Sequence, residues 1–161
     1  MPRYSNVKRR EQSDEFEAPE LMFAELDNLL GYLLRRAQGA MHRDFMSAVV
    51  DLEFTQKQAA TCWLIQANPG VSQAEVAASL SMDRATMMAL IDRLEDRGFV
   101  IRKRSSTDRR RQDLYLTPAG QSALKKCKTR IGEHEKKFRA LFSDTELAAL
   151  LASLKKFQSI G

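Results

Sequence analysis

The sequence predicts a mostly helical fold interrupted by one β-hairpin, on three observations. Apolar residues recur at helical intervals along most of the chain, two short amphipathic helices meet at a tight turn near Ser81, and two β-prone segments bracket a polar, Arg-rich stretch. The 161 residues, 43% hydrophobic and 29% charged, suffice for one ordinary domain with a buried core. No stretch reaches 18 consecutive apolar residues, so no membrane partner is expected, and the early charges leave no room for a secretory apolar stretch. Cys62 and Cys127 lie far apart and there are two histidines, which excludes zinc-finger spacing and a disulfide framework. Neither a metal nor a cofactor is expected, and the cytoplasm is the expected compartment.

Residues 1–19 read as a mobile charged tail, four bases in the first ten residues being followed by five acids in the next ten. From Leu21 to about Arg43, Met22, Leu26, Leu29, Leu30, Leu33, Ala37 and Met41 recur at helical spacing. Leu21, Tyr32 and Leu34 widen that surface, so the helix is expected to bury two faces. Phe45 to Leu52 reads as a short second helix. Thr55 with Gln58 forms a capping box for a helix that ends before Asn68-Pro69-Gly70.

Ser72 with Glu75 is a second capping box, opening a helix whose short apolar face is Val76, Ala77 and Leu80 and which does not run past Ser81. Asp83 is a good N-cap for the next helix, with Met87, Leu90, Ile91 and Leu94 facing inward and Gly98 as its left-handed stop. Phe99–Lys103 and Gln112–Leu116 then form a hairpin around the loop from Arg104 to Arg111. Together these are a winged helix-turn-helix.

Thr117 caps a helix with Pro118 at its first position, and Leu124, Cys127, Ile131, His134, Phe138 and Leu141 step by 3, 4, 3, 4 and 3. Such a heptad wants a partner helix. Ser143 and Glu146 open a final helix with Leu147, Leu150, Leu151, Leu154 and Phe157 on one face. The expected organisation is the tail 1–19, N-terminal dimerisation helices 20–54, a winged helix-turn-helix lobe 55–117 and C-terminal dimerisation helices 118–161. The fold class is therefore all-α with a β-hairpin wing, its terminal helices forming a homodimer.

The charge is localised. Between Arg97 and Arg111 stand seven bases and the single acid Asp108, a net of +6, whereas the whole chain carries +5 and the other 146 residues therefore −1. A phosphate-binding surface requires such concentration. The helix after Asp83 leaves Arg84, Ala85, Met88, Ala89 and Asp92 on the face opposite its apolar stripe, and Arg84, Ala85, Thr86, Met88, Ala89 and Arg93 are its candidate DNA-binding residues. Short side chains at its start suit a major groove, where apolar groups meet thymine methyls and an Arg reaches guanine or phosphate. In the loop, Ser105, Ser106 and Thr107 can donate to phosphates, and Arg109, Arg110 and Arg111 can reach a neighbouring minor groove. Asp108 either orients one of these guanidinium groups by a bidentate bond or simply forms the turn. The partner is double-stranded DNA; the rival is a winged-helix protein-interaction module without DNA affinity, which has no use for +6 in one hairpin.

The chain resembles the multiple-antibiotic-resistance regulator (MarR) family over about residues 21 to 157. The resemblance rests on Asp108-Arg109-Arg110-Arg111-Gln112-Asp113-Leu114-Tyr115-Leu116-Thr117, on Asp92-Arg93-Leu94-Glu95 leading to Gly98, on Pro118-Ala119-Gly120 and on Ser72-Gln73-Ala74-Glu75-Val76-Ala77. It implies a homodimer with a winged helix on each subunit that represses neighbouring genes until a small phenolic or other effector releases it. By position it implies that Arg110 is the minor-groove residue, Asp108 its orienting partner and the start of the helix after Asp83 the base reader. The family often has a polar residue or Arg where this chain has Met88 and Ala89, so its operator preference does not carry over.

Tyr32, Arg36, His42, Arg43 and Trp63 combine cations with aromatic walls and could line a pocket for an aromatic or phenolic carboxylate or its thioester. Equally, Tyr32 and Trp63 could be packing residues beside solvated charges. Cys62 and Cys127 are expected in the core, without the electropositive exposure a reactive thiolate needs, and His134 on the heptad stripe reads as structural. The histidines are about 92 positions apart with no paired nucleophile or ligand cluster, so no enzyme and no catalytic residue is expected.

Overall fold

A computed structural model of the chain describes residues 22–52, 54–105, 111–157 and 159. The chain divides into two compact units, residues 1–35 and 36–161. In the first, a 3-10 turn (Ala24–Asn28) passes through extended Leu29 into helix α1 (Leu30–Ala48). The Phe23 and Tyr32 rings stand 6.1 Å apart, and the Arg35 guanidinium lies 5.4 Å from the Tyr32 ring centre. The apolar residues Leu26, Leu29, Leu30 and Leu33 are exposed.

The helix boundaries here differ from expectation. Instead of breaking near Asp44, α1 runs on to Ala48, because nothing from Met41 to Val49 interrupts helical backbone and Phe45 and Val49, one turn apart, both reach the core. A 3-10 turn (Val50–Leu52) follows. At the other end the helix starts at Leu30, since Leu29 turns extended while its carbonyl already accepts from Leu33.

The second unit is built from local signals that the chain honours. α2 (Gln56–Ala67) carries the complete Thr55–Gln58 capping box, and α3 (Gln73–Ser79) the Ser72–Glu75 box. α4 (Arg84–Asp96) is capped by Asp83, whose carboxylate accepts from the Thr86 N–H and hydroxyl. Gly98, at φ 68, ends it in the left-handed region. β2 (Val100–Arg104) and β3 (Gln112–Leu116) pair antiparallel, with Arg102 opposite Leu114. A third strand that the sequence reading missed, β1 (Val71–Ser72), pairs with the other edge of β3, Val71 facing Leu114. Two residues carry no periodicity from which to infer it.

α5 (Pro118–Arg139) is capped by the Thr117 hydroxyl, which accepts from the Gly120 N–H and donates to the Gly98 carbonyl. A Cβ on Gly120 would stand 2.0 Å from the Phe99 carbonyl oxygen, so a glycine is what lets α5 seat on the hairpin's root. Half of the heptad stripe finds its cover within the chain. Leu124, Cys127 and His134 are buried, α5 packs against α2, and the His134 ring meets Phe45 edge-on at 5.9 Å and Phe138 at 5.1 Å. Ile131 and Phe138 of the stripe are half-buried and Leu141 is strongly exposed, so its own chain covers only part of it. In α6 (Asp144–Phe157), by contrast, no residue is buried, and Leu151, Leu154 and Phe157 are exposed.

Candidate nucleic-acid interface

The core of the second unit places α4. Met87, Ile91 and Leu94 are fully buried with Leu90 beside them, among Phe54, Ile65, Val76, Val100 and Leu114. Burial of that stripe turns Arg84, Ala85, Thr86, Met88, Ala89, Asp92 and Arg93 to the surface, and all of them are exposed. Four residues separate α3 from α4, and Ser81 takes a left-handed φ of 49 at the turn. The hairpin stands beside α4, rooted by Val100 and Leu114.

The hairpin's cations are not equivalent. Arg97 lies over the Phe54 and Phe99 rings, 5.2 and 4.5 Å from their centres, and donates to the Leu52 carbonyl at 3.1 Å. Arg102 reaches from β2 to α4, pairing with Asp92 at 2.5 Å and with Glu95, whose carboxylate also accepts from the Arg102 N–H. Arg111 pairs with Asp113 at 2.9 Å and Glu75 at 3.1 Å and donates to the Gly70 carbonyl at 2.9 Å. Lys103 lies over Tyr115, and Arg104 is exposed at the end of β2.

Two sequence expectations change accordingly. Arg111, at the loop end of β3, is held back toward α3 and the turn before β1, because Glu75, Asp113 and the Gly70 carbonyl surround its guanidinium, and is not extended as a reaching arginine. Ser105 is 6% exposed where its N–H closes the ladder onto the Arg111 carbonyl, a poor position from which to donate to phosphate. Ser106, Thr107, Asp108, Arg109 and Arg110 lie outside the described residues.

Against α4 lies a cavity of about 590 Å³, within the range of small-molecule sites. Gln38 and His42 of α1, Thr55 to Gln58 at the start of α2, and Thr86, Ala89, Leu90 and Arg93 of α4 line it. His42 Nδ1 stands 3.0 Å from Gln56 Oε1. The lining combines an apolar floor, side-chain amides and the cations Lys57 and Arg93, which suits an anion with an apolar body. Of the expected effector residues in the second unit, His42 lies on this wall; Arg36, Arg43 and Trp63 do not, and Tyr32 belongs to the first unit. Trp63 sits about 10 Å further along α2, its ring covered by Lys128 Nζ at 4.2 Å. Gln38 and Lys57 were missed because the approach of α2's first turn to α4 is a tertiary fact; only the Gln38–His42 spacing, one turn apart on α1, hinted at a shared face.

Local electrostatics is dominated by caps. Hydrogen bonds from Ser72 hold the Glu75 carboxyl below its ordinary range, and those from Thr86 do the same for Asp83. The Asp44 carboxyl is lowered by Lys137 and His134, both bonded to it from α5 at 2.8 and 2.7 Å. Burial pushes the Cys62 thiol up to about 12 and raises Cys127 as well, so both are inert core sulfurs. Among the described residues no His, Cys, Asp and Glu group could hold a metal ion, and no helix is long and apolar enough to cross a membrane.

A helix, a four-residue turn, an outward-facing second helix and an antiparallel wing define a winged helix-turn-helix, the class that sets its second helix against DNA. Residues 50–111 match the model of the MarR family. The chain is 32% identical over 150 residues, 92% of its length and 90% of the relative's, to a protein named as a transcriptional regulator for the hcr operon of Thauera aromatica. A structure of the transcriptional repressor CouR bound to a 23-mer DNA duplex superposes with a TM-score of 0.83 at 37% identity, covering 87% of this chain and 99% of that one. CouR bound to p-coumaroyl-CoA superposes at 0.79 with 36% identity, covering 86% and 98%. The chain belongs to the MarR family of transcriptional regulators.

Proposed function

We propose that this regulator is a homodimeric repressor that sits on a pseudo-palindromic operator in double-stranded DNA and is released by an aromatic or phenolic acid or its thioester. The observation that carries the release step is the shared wall. Thr86, Ala89 and Arg93, on the exposed face of α4 that would meet the major groove, also line the 590 Å³ cavity. An effector there competes with DNA for the same side chains or tilts the helix that carries them. Its carboxylate or thioester oxygen would face Lys57, Arg93 and His42, and its ring the Leu90 and Ala89 floor. That CouR binds p-coumaroyl-CoA supports the thioester class.

At the DNA, Arg84, Ala85, Met88 and Ala89 would read base edges, and the hairpin with Arg109 and Arg110 would reach the adjacent minor groove. Residues 20–54 and 118–161 would form the dimer around the lobe 55–117, with 1–19 as a tail. The uncovered leucine face of α6 supports that assignment, and the protein would act in the cytoplasm.

A test uses a duplex that the protein selects from a random pool. Addition of p-coumaroyl-CoA should release it, and His42→Ala or Lys57→Ala should weaken that response by about tenfold, a lost polar contact, without changing DNA affinity. Release unaffected by both substitutions would move the effector site elsewhere.

A further inference from the structure

We infer that Arg102 and Arg111 are positioning residues: two braces that fix the hairpin's angle to the helix-turn-helix before DNA arrives, and not phosphate contacts. The inference rests on the DNA-binding reading and deepens it. It starts from where the hairpin's apolar anchoring stops. Val100 and Leu114 are buried, but beyond the Arg102–Leu114 pair the strands continue through Lys103, Arg104, Gln112 and Asp113 without a buried apolar side chain. A five-residue strand is about 17 Å long, so a swing of about 10° at its root moves its far end by about 3 Å, a hydrogen-bond length. A wing held only by its root would lose its contacts to such a swing.

The two arginines stand where a lateral hold is needed, and they pull toward different helices. Arg102 projects on the same face as Val100 and carries that face onto α4, where Asp92 and Glu95, one turn apart, receive its planar fork. Glu95 also accepts from the Arg102 backbone, so one carboxylate grips both main chain and side chain. Arg111, at the other end of the loop, reaches back to α3 through Glu75, to its own strand through Asp113 and to the turn before β1 through the Gly70 carbonyl. Glu75 is itself fixed as the α3 capping-box acid. The wing's setting is thus tied to the cap of one helix and the exposed face of the other. Both guanidinium groups are engaged, with the Arg102 side chain 19% exposed and that of Arg111 39%.

This arrangement makes an electrostatically unexpected prediction. Glu95 and Asp92 are anions beside a surface meant for phosphate, so charge alone says that removing one tightens DNA binding. The brace says the reverse for a cognate site, because the wing then has to be ordered on binding. The test measures affinity against salt for wild type, Glu95→Gln and Arg102→Gln, on a duplex the wild type selects from a random pool and on a random 30-base-pair duplex, with circular dichroism to check folding. Glu95→Gln should weaken the selected duplex by about tenfold, the size of one charge-assisted hydrogen bond, and lower the selected-to-random affinity ratio. Arg102→Gln should do the same while leaving the salt slope of log affinity unchanged. A Glu95→Gln protein that binds the selected duplex more tightly, or an Arg102→Gln slope that falls by about 0.9 per subunit, overturns the brace and leaves the DNA-binding reading standing. Wild-type protein that binds neither duplex overturns that reading, and the brace with it.

Discussion

Helices α4 and α6 carry the same apolar spacing and meet opposite fates. Met87, Leu90, Ile91 and Leu94 step by 3, 1 and 3, as do Leu147, Leu150, Leu151 and Leu154. On α4 all four are buried at 8% exposure or less; on α6 none is. The difference is one of surroundings: α4 is flanked by α3 and β2 and backed by the core, whereas α6, among the described residues, meets no comparable wall. An amphipathic pattern names the face that seeks cover, and the rest of the fold decides whether cover exists.

The sharpest way to break that comparison is to shorten the α4 stripe. Leu94→Ala should cost about 2–5 kcal/mol, the range for a fully buried leucine, read as a loss in urea midpoint at constant slope. A loss below about 1 kcal/mol would show that α4 is not held as argued.

Next in size is the seat of α5 on the hairpin root. Gly120→Ala should cost about 1–3 kcal/mol as overpacking, since its methyl would meet the Phe99 carbonyl at 2.0 Å and backbone has to move. Unchanged thermal stability would mean that α5 and the hairpin can part at no cost.

A smaller effect belongs to the Asp44 link between α1 and α5. The folded carboxyl is held below its ordinary 3.8, so its contribution is present above that value and disappears as pH falls through the lower folded value. Asp44→Asn should therefore lose stability at neutral pH and show a flatter acid-unfolding profile than wild type. Identical profiles would remove the carboxylate from the account.

The smallest expected effect sharpens the contrast from the other side. In dilute solution Leu154→Ala should change chain stability by less than about 0.5 kcal/mol, as for an exposed position. If α6 covers itself against a second chain, the cost should grow with protein concentration and sedimentation should shift toward the single chain. A large cost that ignores concentration would place α6 against its own chain.

Much of this was legible because it is local. Capping boxes at Thr55–Gln58 and Ser72–Glu75, the Asp83 and Thr117 caps and the Gly98 stop span three or four residues, and each is realised where the spacing puts it. The inward stripe of α4, and with it the outward face, follows from the same short-range geometry. Contacts between residues far apart in sequence are not legible in this way. The spacing of the α5 stripe shows that it needs cover, but not that α2 and Phe45 of the same chain supply it for Leu124, Cys127 and His134. Composition makes the seven cations between Arg97 and Arg111 one surface, although Arg97, Arg102 and Arg111 are engaged by aromatic rings, carboxylates and carbonyls. Trp63, placed beside His42 on chemistry alone, lies further along α2 under Lys128.

The sequence by itself determined the family, the winged helix-turn-helix, the capped helix starts at Thr55, Ser72, Asp83 and Thr117 and the inward stripe of α4, because caps, a glycine stop and periodicity act over a few residues. Tertiary structure alone decided which apolar face is covered by its own chain, that a two-residue strand joins the sheet, which arginines are braces, and that α1, α2 and α4 enclose a cavity. Each of these depends on groups far apart in sequence whose meeting is set by packing the whole core, and no short spacing encodes it.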